Sequence, residues 1–271
     1  MRKVRKEFEE ALKELKEEML NNSKWTQDWC IEIKNFVGGN SYNGFNILLL
    51  SKIMVERKHK TPYFMTFKQA KEKGYKIKKG AKSYPIYFYK PLVIEEKVEV
   101  IENGEVKEEV IKRTIPYLKK YYVFNIEDIN GDFKIEDKKE VKVEVKELLE
   151  KINRYIEIAY GRPAYYPKKH IITMPIMKNF ESKEAYLAAL FHELTHSTAK
   201  YTKRELNIAE EEVVAELGSV ILCKHFNIDY PITRHAAYIK SWGKDIEDKR
   251  FYSVLKHTFK AVEFLLDTLD S

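Results

Sequence analysis

The segment from Leu187 to Thr198 constrains the fold most, because it sets two histidines and a glutamate within a strongly apolar stretch. Residues four apart lie on one face of an α-helix, so His192 and His196 can offer two imidazole nitrogens to one metal ion. Glu193 stands beside that face and can reach a water molecule on the same metal. Apolar side chains recur at helical spacing in this segment, at Leu187, Leu190, Phe191 and Leu194. This stripe favours a packed helix over a surface helix with two incidental histidines.

A second apolar helix, expected from about Ile208 to Phe226, carries candidates for a third ligand. Glu212 and Glu216 lie four apart, and a carboxylate on a buried face is costly unless it is paired or metal-bound. We assign Glu212 as the third ligand and Glu216 as the residue that hydrogen-bonds a ligating histidine. Two alternatives stay open: the glutamates exchange roles, or both belong to a solvated acidic run that starts at Glu210. Three protein ligands leave one position for water, which is typical of a catalytic site.

Two histidines and a distal glutamate resemble the gluzincin class of zinc metallopeptidases. The resemblance implies that Glu193 is the general base towards the zinc-bound water and then protonates the leaving amine. The same ligand set also accepts manganese or cobalt. A strand expected over His170–Pro175 would bind the peptide by edge pairing, as in other zincins. Our candidate transition-state donors are His235 and Tyr238, and the alternative is a packed histidine and a core tyrosine.

Length and composition indicate a globular, two-domain protein. The chain has 271 residues, of which 44% are hydrophobic and 13% aromatic, so a disordered chain is excluded. We expect domains over residues 1–135 and 147–271, joined by a charged linker over 136–146. No apolar run approaches transmembrane length, the first residues lack the apolar core of a signal peptide, and two distant cysteines form no disulfide framework. These features together predict a cytoplasmic protein.

Positive charge is concentrated in residues 51–90, which contain twelve Lys or Arg and two acidic residues, whereas the whole chain carries +7. Eight aromatic residues are interleaved with these lysines. A groove for single-stranded nucleic acid needs cations that bind the phosphates and aromatic rings that stack on the unpaired bases. The alternative is a solvated lysine-rich face over an aromatic core.

Periodicity and turn residues also predict the elements of the first half. We expect helices over 3–20, 47–55 and 66–73, strands over 84–92 and 121–126, and a hairpin over 98–111 that turns at Asn103-Gly104. The alternation of valine and glutamate in the hairpin predicts a half-exposed ribbon, and its acidity argues against contact with DNA.

Eight segments carry a resemblance to a known family: 40–50 (NSYNGFNILLL), 65–70 (MTFKQA), 78–82 (KKGAK), 121–126 (YYVFNI), 172–175 (ITMP), 189–198 (ALFHELTHST), 211–218 (EEVVAELG) and 235–242 (HAAYIKSW). The chain resembles ArdC-type antirestriction proteins along nearly its whole length. The resemblance implies an α+β protein, with an N-terminal α+β domain that binds single-stranded DNA and a mainly helical zincin-like domain with a small sheet. It also implies a plasmid- or phage-borne protein that protects incoming DNA from restriction.

From position and chemistry we expect ten residues to contact DNA: Tyr42, Asn43, Asn46, Thr66, Phe67, Lys68, Gln69, Lys78, Lys79 and Lys82. Tyr42 and Phe67 would stack on bases. Two rival functions stay open. In one, the zincin domain is a non-proteolytic, metal-stabilised module and the protein only shields DNA. In the other, the N-terminal domain binds a protein partner and the chain is a regulatory protease.

Overall fold

The structure is a computed structural model that describes residues 2–21, 32–42, 44–102, 105–135, 144–230 and 233–270. It combines a sheet-containing N-terminal half with a mostly helical C-terminal half that has a small sheet of its own, so the predicted α+β class is confirmed. Among the helices of these residues, none has both the length and the apolar character that crossing a bilayer requires.

The N-terminal half has three helices close to the predicted ones: α1 (Arg2–Asn21), α2 (Gly44–Arg57) and α3 (Phe67–Glu72). Four strands form one sheet in the order β1-β2-β5-β4: β1 (Lys34–Asn35), β2 (Tyr63–Thr66), β4 (Tyr84–Glu102) and β5 (Glu105–Asn125). Two short strands pair beside it, β3 (Lys76–Ile77) and β6 (Ile129–Asn130). Neighbours in the large sheet are antiparallel except for β1 and β2.

Strands β4 and β5 form one long ribbon rather than the separate strands and hairpin that we predicted. The ladder is continuous from the pair Tyr84–Val123 to the pair Glu102–Glu105. Pro91 and Pro116, which favour an interruption, lie opposite each other in the ladder. Proline is tolerated where a strand has a free edge, and both strands have one along most of the ribbon. The predicted turn at residues 103–104 lies outside the described residues.

The C-terminal half contains six helices within the described ranges: α4 (Val145–Tyr155), α5 (Lys183–Ser197), α6 (Ala199–Thr202), α7 (Ile208–His225), α8 (Thr233–Gly243) and α9 (Asp248–Asp270). Its sheet has the order β7-β9-β8, formed by β7 (Glu157–Tyr160), β8 (Ala164–Tyr166) and β9 (Ile171–Met174). The central helices α5 and α7 pack against each other and carry the candidate metal ligands.

The strand expected to bind a peptide by edge pairing is not an edge strand. β9 pairs in parallel with β7 along one side and antiparallel with β8 along the other, so both of its edges are used. A strand is present as predicted within residues 170–175, but the prediction that it pairs with a peptide at a free edge is wrong. The strand at the edge of this sheet beside helix α5 is β8, which has only three residues and is too short to be recognised from sequence.

The two halves share one hydrophobic core. Phe8, Leu12 and Leu15 of α1 belong to the same buried cluster as Val213 and Leu217 of α7. Helix α1 also packs against α8 and α9. The boundaries 1–135 and 147–271 stay a prediction, since residues 136–143 lie outside the described ranges and α4 already begins at residue 145.

Gly44, the first residue of α2, lies directly against the C-terminal helix. A Cβ atom at this position would lie 2.2 Å from Cδ2 of Phe259 on α9. Phe259 packs against three of the four hydrophobic clusters, so it has little freedom to move away. The glycine of the segment 40–50 therefore allows the two halves to meet.

We expect Gly44→Ala to destabilise the whole chain, because a forced overlap in a packed core costs about 1–3 kcal/mol. Thermal unfolding followed by circular dichroism should show a melting temperature lowered by roughly 2–10 °C. Gly38→Ala is the matched control, since the nearest atoms to its Cβ lie at 3.4 Å. Equal melting temperatures for the two variants would contradict this account of the contact.

Candidate metal centre and nucleic-acid surface

Helix α5 presents the two histidines of the motif. Ser182 caps the helix by accepting a hydrogen bond of 3.0 Å from the backbone N–H of Ala185, and Glu184 adds favourable negative charge to the first turn. His192 and His196 follow one turn apart, with ring centroids separated by 4.8 Å. Their Nε2 atoms lie 3.1 Å from each other, so both face the same point beside the helix.

Helix α7 brings Glu212 opposite these nitrogens. The carboxylate oxygens of Glu212 lie 3.5 Å from Nε2 of His192 and 3.7 Å from Nε2 of His196. One ligand atom from each of the three residues lies within 4.8 Å of the others, and all three side chains are partly exposed. Within the described ranges, this is the one group of histidine, cysteine and acidic side chains that converges in this way. Two imidazole nitrogens and one carboxylate oxygen fit a divalent metal ion.

A carboxylate faces the second ring nitrogen of each histidine. Nδ1 of His192 lies 3.5 Å from Glu216, whose other oxygen accepts a hydrogen bond from Nδ1 of His235. Nδ1 of His196 donates a hydrogen bond of 3.1 Å to Glu211. These contacts favour the tautomers that leave the Nε2 atoms free to accept a metal ion. Glu216 thus lies where a residue that orients His192 would lie.

Glu211 and Arg204 form a buried ion pair that the sequence did not reveal. Nε and Nη2 of Arg204 donate hydrogen bonds of 2.8 and 2.6 Å to the two oxygens of Glu211. The Arg204 side chain is fully buried and also donates to the carbonyl of Thr195 and the hydroxyl of Thr198. Burial raises the pKa of Glu211, but hydrogen bonds from Arg204 and His196 outweigh it, so the pKa lies below its ordinary value.

The acidic run at the start of α7 is not solvated, which removes one of the alternatives left open by the sequence. Glu210 is 1% exposed and accepts two hydrogen bonds of 2.6 Å from Arg250 on α9. Glu211 pairs with Arg204 from the loop before α7, and Glu212 faces the two histidines. Because these partners come from other elements, no local pattern in the sequence could have identified Arg204.

Glu193 lies at the edge of a cleft of about 780 Å³ beside the three ligand atoms. Burial raises the pKa of its carboxyl group, and the backbone N–H of Tyr165 on β8 donates to it. A carboxylate with a raised pKa is a better proton acceptor than an exposed glutamate. Besides the ligands and Glu193, the residues that line the cleft include Pro163, Ala164, Tyr165 and Pro167, in or next to β8, and Lys200, Arg204, Leu206 and Glu211 from other parts of the chain. Strand β8 therefore forms one wall of the cleft.

The structure does not bring the two candidate transition-state donors into this cleft. His235 is 7% exposed and binds Glu216 on the side of His192 that faces away from the Nε2 atoms. Tyr238, also on α8, is 58% exposed and does not line the cleft. The reason is that α8 packs beside α7 near Glu216, one turn beyond the expected ligand. His235 therefore matches the alternative of a packed histidine, whereas Tyr238 is not a core residue.

Two of the predicted DNA contacts are buried instead. Tyr42 is 7% exposed, its hydroxyl donates to the carbonyl of Phe64, and burial raises its pKa to about 12. Asn46 is fully buried and exchanges hydrogen bonds of 2.8 and 2.9 Å with the backbone of Tyr87. These side chains anchor α2 to the sheet, so the predictions of stacking by Tyr42 and of DNA contact by Asn46 are wrong. Asn43 lies outside the described residues.

Two further predicted contacts have local structural roles at the start of α3. Thr66 caps the helix: its hydroxyl accepts from the N–H of Gln69, and Gln69 Oε1 accepts from the N–H of Thr66. The amide of Gln69 also exchanges hydrogen bonds of 3.0 Å with Asn35. The adjacent residues Phe67 and Lys68 have exposed side chains, with 60% of Phe67 accessible.

The turn that leads into β4 carries three exposed lysines, Lys78, Lys79 and Lys82. Lys78 donates a hydrogen bond of 2.7 Å to the carbonyl of Glu127, which holds its chain against the neighbouring loop. Five of the ten predicted DNA contacts thus stay exposed: Phe67, Lys68, Lys78, Lys79 and Lys82. Their role in binding DNA stays a prediction.

Comparison with known families assigns one class to each half. The model for a zincin-like metallopeptidase matches residues 143–254, which include the helices that carry the metal ligands. The model for the N-terminal domain of the anti-restriction factor ArdC matches residues 2–124. The fold and the site therefore define a protein with a zincin-like metallopeptidase domain behind an ArdC-type N-terminal domain. Over both halves, the chain is therefore similar to ArdC-type antirestriction proteins.

Solved structures with this fold cover almost the whole chain. The metal-free and Mn(II)-bound crystal structures of the antirestriction protein ArdC from plasmid R388 match 96% and 95% of it, with TM-scores of 0.70 and 0.71 and identities of 23% and 24%. The match covers 97% of each of those chains. At this level of identity the comparison establishes a common fold.

Two sequences of the DNA primase TraC from Escherichia coli are also similar. They are 30% and 27% identical over 233 and 283 residues, which cover 78% and 92% of this chain. The chain spans only 16% and 26% of the length of these relatives. The similarity therefore concerns one part of a much larger protein.

We expect Arg204→Met to destabilise the fold strongly, because it leaves the carboxylate of Glu211 buried without its cation. Breaking a buried ion pair from one side costs about 3–5 kcal/mol. Urea unfolding in the presence of a chelator measures this loss without a contribution from bound metal. The double variant Arg204→Met/Glu211→Gln should recover part of the stability, since a neutral amide needs no cation. A double variant no more stable than Arg204→Met would contradict this interpretation.

Proposed function

We propose that the C-terminal half is a divalent-metal-dependent peptidase centre, in which His192, His196 and Glu212 hold the metal and Glu193 is the general base. The convergence of the three ligand atoms beside the buried carboxylate of Glu193 carries this proposal. Zinc is the metal we expect from the two-histidine, one-carboxylate set. Manganese and cobalt fit the same ligands, and the related ArdC protein from plasmid R388 has a Mn(II)-bound structure.

The surrounding residues suit the steps of peptide hydrolysis. A bound divalent metal would lower the pKa of a water molecule and polarise the peptide carbonyl. Glu193 takes the proton of the attacking water and passes it to the leaving amine, a role that its raised pKa favours. The exposed edge of β8 pairs with the extended substrate along the wall of the cleft. Glu216 and Glu211 orient His192 and His196 through the Nδ1 atoms.

Metal binding and proteolysis can be tested separately with two variants. Zn(II) or Mn(II) added to chelator-treated wild type should raise the melting temperature, because a ligand at 100 times its dissociation constant contributes about 2.7 kcal/mol. His192→Ala should lose this shift, whereas Glu193→Gln should keep it and abolish cleavage of a fluorogenic peptide library.

His225→Ala is the matched control, since His225 lies on α7 away from the ligand group. An undiminished metal-induced shift in His192→Ala would contradict the metal assignment. Peptide cleavage by Glu193→Gln at the wild-type rate would contradict the assignment of Glu193 as the general base. A wild-type protein that binds metal, cleaves no peptide and still protects DNA would favour the rival function, a non-proteolytic shielding protein.

We further propose that the N-terminal half binds single-stranded DNA with little sequence preference and so shields incoming DNA from restriction in the cytoplasm. The exposed lysines at 78, 79 and 82 support this proposal, together with the exposed side chains of Phe67 and Lys68 on α3, which contacts strand β3 directly before these lysines. Lysines bind phosphates whatever the base sequence, and exposed rings stack on unpaired bases.

Replacing Lys78, Lys79 and Lys82 together by Gln should weaken binding to a poly-dT oligonucleotide and reduce its salt dependence. Each lost phosphate contact lowers the slope of log affinity against log salt by about 0.7 for single strands, so the slope should fall by roughly 2. Fluorescence anisotropy across a salt series measures both effects. The triple variant of the exposed α1 residues Lys3, Lys6 and Lys13 removes the same charge and serves as the control. Equal slopes for the two triple variants would contradict the proposed location.

A further inference from the structure

The base of the β4–β5 ribbon carries rings and lysines on one face. In the ladder, Phe88 lies opposite Lys119, and Lys90 lies opposite Tyr117. Tyr121 lies two residues further along β5 from Lys119, and residues that are paired or two apart share a face of the sheet. We call these five residues the ribbon strip: Phe88, Lys90, Tyr117, Lys119 and Tyr121.

Contacts within the ribbon strip are between rings and cations. The rings of Phe88 and Tyr121 meet edge to face, with centroids 6.0 Å apart. Nζ of Lys90 lies 5.8 Å from the Tyr121 ring centroid, and Nζ of Lys119 lies 5.8 Å from that of Tyr117. The three rings are half-buried, whereas both lysines are exposed.

On the opposite face of the ribbon, the aromatic and lysine side chains have partners within the fold. There Tyr87 packs against Phe8 of α1, with centroids 5.4 Å apart. Lys120 on that face makes an ion pair of 2.5 Å with Glu7. In the part of the chain that the structure describes, Lys90 and Lys119 have no carboxylate within ion-pair distance. Helix α1 therefore packs on part of that face and pairs with its lysine, whereas the two lysines of the ribbon strip keep their charge beside its rings.

The face of the ribbon that carries the ribbon strip is positively charged along several residues, as a binding site for a polyanion would be. Going outward along the ribbon, Lys90, Lys119 and Arg113 share the face, and the first acidic residue on it is Glu96. Going inward, the same strand follows directly on the lysine-rich turn at 78–82. The positive face is thus confined to the base of the ribbon, next to the surface that we propose for DNA.

We propose that the ribbon strip is a base-stacking platform for single-stranded DNA. Lys90 and Lys119 bind phosphates, and the partly exposed rings of Tyr117, Tyr121 and Phe88 stack on unpaired bases, with Tyr117 free of the hydrophobic clusters. Duplex DNA offers phosphates to this surface but no free base faces, so the rings favour a single strand. This inference rests on the proposed DNA binding of the N-terminal half and names where the bases lie.

Tyr117 is the residue to replace, because it is the ring of the strip that belongs to none of the hydrophobic clusters. Tyr117→Ala should weaken binding of full-length protein to a poly-dT oligonucleotide by about 5- to 100-fold, with an unchanged salt slope. Tyr117→Phe should bind like wild type, because it keeps the ring. Lys90→Gln/Lys119→Gln should lower the salt slope by about 1.4.

Tyr122→Ala is the matched control, since Tyr122 is 49% exposed but lies on the opposite face beside Lys120. Circular dichroism and melting temperature verify that each variant is folded. Two results would overturn the ribbon strip as the stacking platform while leaving the proposed DNA binding intact, provided that the wild type binds poly-dT. One is an unchanged affinity in Tyr117→Ala, and the other is an equal loss of affinity in Tyr122→Ala. If the wild type binds no single strand at low salt, both proposals fail.

Discussion

The charge on helix α7 is the constraint that the rest of the structure must satisfy. Glu211, Glu212 and Glu216 face the centre of the C-terminal half, where an unpaired carboxylate is costly. Each meets a different partner: Arg204 for the first, the two histidines of α5 for the second, and His235 for the third. The network that balances these charges also fixes the direction of both imidazole rings.

The other side of α7 determines how the two halves are joined. Val213 and Leu217 are buried in the same cluster as the apolar side of α1. Because α1 in turn covers one face of the β4–β5 ribbon, the same helix contacts the back of the candidate metal centre and the N-terminal sheet. The two halves are therefore parts of one packed body, and α1 packs on the face of the ribbon opposite to the exposed side chains of Lys90 and Lys119.

The sequence predicted correctly those helices, and the shared face of those candidate ligands, whose information is local. Helical periodicity located α5 and α7, and the four-residue spacing placed His192 and His196 on one face. The predictions were wrong where the same residue type can either contact nucleic acid or form hydrogen bonds inside the fold. Asn46 and Tyr42 have the chemistry of nucleic-acid contacts, but the structure uses them to hold α2 against the sheet. Glu211 looked like a solvated member of an acidic run because its partner Arg204 comes from a loop.

By itself, the sequence determined the α+β class, the two helices that carry the candidate ligands, and the concentration of positive charge in the N-terminal half. These follow from periodicity and composition, which depend on neighbouring residues. Only the tertiary structure decided which carboxylate faces each histidine, which strand borders the cleft and which face of the ribbon stays exposed. Those features depend on contacts between residues far apart in the chain, which are set by packing against α1 and α9 rather than by any local pattern.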